Sequence, residues 1–146
     1  MTEVNDRALT AVTAALLERA RSLNALSIAL TILAIAALMA LSLLDAGRPV
    51  VALALATSVA AGLTETYLAL RVAFDAALFR LLAENAIDVT ALDAAMTTLG
   101  LLPAAKAGRP LGPRVAGARR LLVVQVAAAA IQLLLVLLGT AVAVIS

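Results

Sequence analysis

The chain has 146 residues, 64% hydrophobic and 14% charged, against roughly 45 to 50% apolar and about 25% charged in ordinary soluble domains, which excludes a water-soluble globule. It contains no Cys, His or Trp, so Cys/His zinc centres, thiol nucleophiles, His-based triads and disulfide scaffolds are excluded as well. Net charge is +2, and Lys106 is the only lysine among the 11 Lys and Arg residues; in an Ala/Leu-rich background this reads as GC-rich bacterial coding rather than a nucleic-acid footprint.

In chain order, Ser22 to Leu44 is free of charge. Residues 25–44 alone reach roughly 30 Å at about 1.5 Å per residue, the thickness of a hydrocarbon core. Asn5 or Asp6 is expected to cap a helix that continues through Leu9, Val12, Leu16 and Leu17 into this run, without Gly or Pro to break it. A second apolar run, 49–70, is interrupted only by Glu65 and starts at Pro49, where a first helical turn tolerates the missing N–H. Its pattern extends to about Asn85. The short link 45–49 makes the first two helices an antiparallel hairpin.

Beyond Ala86 a short amphipathic helix is predicted, with Asp88 or Thr90 as its cap, a capping box between Thr90 and Asp93, an apolar face of Val89, Leu92, Met96 and Leu99, and Gly100 as its stop. Pro103, Gly108, Pro110, Gly112 and Pro113 predict an irregular basic loop over 101–117, with Pro113 as an opening for a third long helix. The third apolar run is 121–145. The reading is therefore an all-α bundle of three transmembrane helices with a short cytoplasmic helix between the second and third, one membrane domain over 1–146. No internal repeat is visible in the residue types.

The arginines predict the threading. Arg7, Arg19 and Arg21 precede the first run; Arg71, Arg80, Lys106, Arg109, Arg114, Arg119 and Arg120 lie between the second and third; the first link holds only Arg48. The positive-inside rule then places the N-terminus and the connection 71–120 in the cytoplasm and Ser146 outside, in a bacterial inner membrane. The N-terminal segment is too long and too acidic for a signal peptide, so no cleavage is expected.

Candidate site residues are the polar groups in or beside the spans. Gln125 and Gln132 are seven apart on one face, and Gln132 lies about 17 Å in from Leu121, near mid-bilayer; unpaired amides at that depth are costly, so both are expected to face protein. Ala54, Ser58 and Gly62, Ala56, Ala60 and Thr64, and Gly139 with Ala143 are small residues spaced for close helix packing. Glu65, Tyr67, Arg71 and Asp75 form the charged girdle of the second helix. Arg71 and Asp75 are an i, i+4 pair in an apolar stripe and are expected to tie the helix to a neighbour. Glu65 is either a buried contact or part of an ion or proton path. Glu65 and Asp75 lie about 15 Å apart along one helix, too far for an acid–base pair.

Arg109, Arg114, Arg119 and Arg120 are expected at anionic lipid headgroups. They match no phosphate-binding loop and have no aromatic interleaving for nucleic acid. No cofactor, metal or catalytic residue is expected. Holins, small accessory subunits, small transporters and immunity proteins share this size and span count, and no motif separates them; the uncharged C-terminus departs from the basic tail in which many holins end. The function expected by subtraction is a non-catalytic accessory or scaffolding subunit, partnered by a second copy or by other membrane-complex subunits. The alternatives are a small channel or transporter using Glu65, or a holin-like pore.

Overall fold

The computed structural model describes residues 2–44 and 48–145. Helix α1 (Thr2–Glu18) runs into α2 (Ala20–Leu43) through Arg19, whose φ −62° and ψ −23° remain helical. Helices α3 (Pro49–Ala83), α4 (Val89–Thr98) and α5 (Leu111–Ile145) follow, with one 3₁₀ turn at Ala104–Lys106 before α5. Every regular element among the described residues is helical. Asn5–Leu43, Pro49–Ala83 and Leu111–Ile145 are each long and apolar enough to cross a bilayer. The turn between α2 and α3 and the terminal Ser146, on which the expected hairpin link and outer C-terminus fall, lie outside the described residues.

Three local expectations change. The first helix already includes Thr2, so Asn5 and Asp6 lie inside it rather than capping it. The third begins at Leu111, and Gly112 and Pro113 belong to its first turn, not to a loop; the N–H groups of a first turn have no intrahelical acceptor, so Pro113 forfeits nothing there. Asp88 does cap α4, its Oδ1 accepting from Ala91 N–H at 2.6 Å, but Asp93 does not complete a capping box and is used elsewhere.

The ends of α3 and α4 close alike. Gly100, at φ +69°, donates to Thr97 O, while Leu101 N–H reaches back to Met96 O. Asn85, at φ +54°, donates to Leu82 O, and Ala86 N–H reaches Leu81 O. Both are Schellman closures, in which a left-handed residue turns the chain and satisfies the last carbonyls.

Helix α3 is the central element, packed on α1–α2 along one side and on α5 along the other. Its buried residues Val51, Leu55, Ser58, Gly62, Glu65, Ala69, Val72, Ala76 and Phe79 alternate by four and three along its whole length. On α5 the buried Ala118, Gln125, Gln132 and Gly139 recur every seven residues, as do Ala20, Ser27 and Ala34 on α2. A seven-residue burial repeat goes with left-handed, coiled-coil-like packing at a small crossing angle.

The layers that result are antiparallel between α3 and its neighbours. Ser58 meets Gln132 and Glu65 meets Gln125; at one end Arg7 Nε donates to Ala83 O at 2.9 Å, and at the other Arg48 donates to Ala143 O at 2.6 Å. An apolar cluster fills each half: Leu17, Val72, Phe79 and Ala118 towards the α4 end, and Ala34, Val51 and Leu55 towards the other.

Helix α4 and the connection after it are held to α5 by one carboxylate. Asp93 Oδ2 accepts from Gly108 N–H and from the Arg114 guanidinium, each at 2.7 Å. Burial pushes this carboxyl up, but those two donors outweigh burial and hold it below the usual carboxylate range. A group with a lower pKa folded than unfolded contributes stability above its unfolded value, about 3.9, and loses it as pH falls through the folded value. The α4 attachment should therefore be intact at neutral pH and loosen only in acid, below about pH 4. In D93N, hydrogen exchange at Gly108 should rise about tenfold or more at pH 7, as expected for losing bonds to a charged group, and its pH dependence between 3 and 5 should flatten; wild-type protection that is unchanged across that range would contradict the assignment.

Candidate functional site: a buried polar ladder

The seven-residue repeat brings the polar residues of all three long helices to one axis. Gln132 is fully buried and fixed by four hydrogen bonds to α2 and α3. Its Nε2 donates to Ser27 O at 3.0 Å and to Thr31 Oγ1 at 2.8 Å; its Oε1 accepts from Ser27 Oγ at 2.6 Å; its backbone O accepts from Ser58 Oγ at 3.4 Å. Gly62 makes room for this knot, since a Cβ there would overlap Thr31 Oγ1 and come within 2.6 Å of Gln132 Nε2. The glycine is required by close approach rather than by backbone conformation.

Two turns away, Gln125 Nε2 donates to Glu65 Oε1 at 2.7 Å, and both side chains are fully buried. Glu65 Oε2 and Gln125 Oε1 have no donor among the described residues, nor does Asn24 Oδ1 on α2. No basic side chain pairs with Glu65 among the described residues.

The rest of the girdle is dispersed. Arg71 is exposed and donates to Tyr67 Oη on its own helix at 3.2 Å, and it closes no ion pair with Asp75. Asp75 is half-buried and lines a cleft of about 290 Å³ with Phe79, Met96, Arg109 and Arg114. Of the four basic residues assigned to headgroups, Arg114 is committed to Asp93 and is largely buried, while Arg109, Arg119 and Arg120 are exposed. Among the small residues, Ala54, Ser58, Gly62 and Gly139 face the interior, whereas Ala56, Ala60 and Thr64 face outward. No group of three acidic residues close enough to hold a metal ion occurs among the described residues.

Sequence reading missed Ser27, Thr31, Asn24 and the Asp93–Arg114 pair. The signal for Ser27 was its seven-residue step from Ala20 and Ala34, and for Ser58 its step to Glu65. Both are polar or small residues in apolar helices, so a search for a hydrophobic stripe passes over them.

Comparison with protein-family models, with curated proteins and with solved structures finds no match. Residue roles therefore rest on the geometry.

Chemically the ladder joins helices. Removing the Gln132 amide leaves the Ser27 hydroxyl without its acceptor, while Thr31 keeps its bond to Ser27 O, and polar contacts between helices in lipid contribute about 1 kcal/mol each, up to about 2. Q132L should lower stability to thermal or denaturant unfolding in detergent by about 1 to 2 kcal/mol, and G62V by more, because it forces the helices apart as well as breaking the bonds. Stability equal to wild type in G62V would mean that this helix contact is not made.

Proposed function

We propose that the chain is a three-span protein of a bacterial inner membrane, threaded with its N-terminus and the α3–α5 connection in the cytoplasm, and that it serves as a non-catalytic accessory or scaffolding subunit of a membrane complex. The cytoplasmic helix α4 is tied through Asp93 and Arg114 to the cytoplasmic end of α5 in this reading, and Arg109, Arg119 and Arg120 meet anionic headgroups.

The observation that carries the reading is on α1. Thr10, Thr13, Ala14 and Leu17 are buried on one face, yet Leu9, Val12 and Leu16 are exposed on the other, Val12 by 68%. These residues precede Arg19 and Arg21, the charges that end the first apolar run, and Val12 stands about 13 Å beyond Arg21 by helix rise. Exposed Leu and Ile on the spans are what lipid accommodates, but an apolar face beyond the headgroups needs protein. The inward use of Ser27, Ser58, Gln125 and Gln132 supports the same reading, since polar groups spent on holding one chain together leave an apolar exterior. The covering partner is a second copy or another subunit.

Extraction in mild detergent followed by native mass spectrometry should give a species heavier than one chain. V12E/L16E should reduce it to the single chain while leaving helicity intact, because neither side chain belongs to the buried face. A wild-type monomer with nothing co-purifying would overturn the proposal.

A specific observation favours a second reading. Glu65 is fully buried without a basic partner, and Oε2 is left without a donor, as in residues that carry ions through membranes. Gln at position 65 keeps an acceptor for Gln125. E65Q should therefore preserve assembly under the scaffold reading, and wild-type proteoliposomes should show no cation flux above empty liposomes; a wild-type flux that E65Q abolishes would favour the transporter instead.

A further inference from the structure

We propose that a groove between α1–α2 and α3, at Arg21 and Asn24, binds the headgroup region of an anionic glycerophospholipid that carries a hydroxyl. The proposal rests on the three-span reading above. The groove has a volume of about 350 Å³ and is lined by Leu17, Ala20, Arg21, Asn24, Ala69 and Ala73, among others. Alanine on both facing helices makes it a slot: Ala20 and Ala69 are themselves buried, and no long side chain closes the space between them.

Three groups in this slot lack what they need. Asn24 Oδ1 is buried and has no donor. Arg21 is exposed and has no hydrogen-bond acceptor or ion-pair partner among the described residues, whereas Glu18, on the same groove, is paired with Arg80 at 3.4 Å. The free charge of the groove is thus positive. The walls are apolar and need methylene groups against them.

A water molecule would bring Asn24 a donor but Arg21 no anion, and a free phosphate could meet both polar groups but would leave the apolar walls without hydrocarbon. A phospholipid whose headgroup bears a hydroxyl brings a donor, an anion and hydrocarbon on one molecule. The level is also right. Arg21 is the last charge before the first apolar run, and Arg71, one residue past the groove-lining Leu70, is the first basic residue after the second. Both helices therefore leave the hydrocarbon where the groove opens, at headgroup depth.

Arginine–phosphate contacts are charge-assisted and among the stronger hydrogen bonds, so their loss is expected to cost about tenfold in affinity. The test is native mass spectrometry of the full chain in detergent with added phosphatidylglycerol, phosphatidylcholine or inorganic phosphate. Wild type should retain one phosphatidylglycerol about tenfold better than phosphatidylcholine. N24L should bring that preference close to unity, because choline has no hydroxyl to donate to Asn24; R21Q should lower retention of both lipids about tenfold, since both carry the phosphate that Arg21 holds; and A73F should block retention by filling the slot without touching a polar group. K106Q removes an exposed basic residue outside the groove and should leave the preference intact.

Equal retention of the two lipids, or equal loss in K106Q and R21Q, would reduce the site to diffuse charge attraction and overturn it. So would displacement of the lipid by inorganic phosphate at matched concentration. Helicity by circular dichroism in each variant separates lost binding from lost fold. A chain that stays in solution without detergent would sink the three-span reading itself; a chain that requires detergent yet shows no lipid preference would sink only the groove.

Discussion

The close approach of α2, α3 and α5 at Gly62 is the constraint on which the rest depends. With no side chain there, Thr31 and Gln132 occupy the space between helices and exchange hydrogen bonds with Ser27. Because the burial repeat is seven residues, fixing this one layer fixes the others: one step along α3 and one back along α5 places Glu65 against Gln125, and the opposite step from Gly62 and Gln132 places Leu55 against Gly139. A slip of the helices by a turn would bring Gln132 to a position without Ser27 and would close Gly62's space against an alanine or a leucine. Register is thus specified by polar groups, whose partners are few, rather than by leucines, which pack against any neighbour.

That division follows from the solvent proposed for the bundle. In water the inward face is marked by hydrophobicity and the outward face by charge. In lipid, hiding a leucine gains nothing, and the inward face is marked by what lipid cannot satisfy: amides, hydroxyls, and glycine or alanine that let backbones approach. Leu53, Leu63 and Leu70 are exposed on α3, while Ser58, Glu65 and Gly62 are buried on it. Between Ser58 and Glu65 the arrangement is inverted relative to a soluble helix, whereas towards the two ends of α3 Val51, Leu55, Val72 and Phe79 are the buried residues.

This also explains what was legible in the sequence. The three long helices could be read from apolar length, because that requirement is one-dimensional, and the α4 cap and stop could be read from Asp88 and Gly100, because they are local. The partner of Gln132 could not be read, since it depends on which face of α2 turns inward, and Ser27, Asn24, Thr31 and Ser42 are equivalent polar residues until packing chooses between them. Pro113 does open the third long helix, as its residue type suggests, but the Gly and Pro residues around it also carry a loop signal, and the helix starts at Leu111 inside the stretch expected to be irregular. The Arg71–Asp75 pair had the right spacing, but Tyr67 lies one turn before Arg71 and takes its guanidinium instead.

The Glu65 layer differs from the Gln132 layer in one respect that bears on function. Around Gln132 both ends of the amide are used; around Glu65 one oxygen of each partner is left over. If register were the only task, a second glutamine at position 65 would satisfy both groups, donating to Gln125 Oε1 and accepting from its Nε2. A carboxylate in that place leaves the pair one donor short, which is unfavourable in an apolar core and sets this layer apart from its neighbour seven residues away. Asn24, on α2, carries a further unsatisfied oxygen and lines the groove with Arg21. Among the described residues the unmet polar demand is therefore concentrated on the arginine-rich side of the Gln132 layer. The opposite half is closed by Ala34, Val51 and Leu55 and leaves no such demand among the described residues. Under the proposed threading the arginine-bearing end offers the unmet polar groups that a headgroup or a subunit would satisfy, and the opposite end offers an apolar surface.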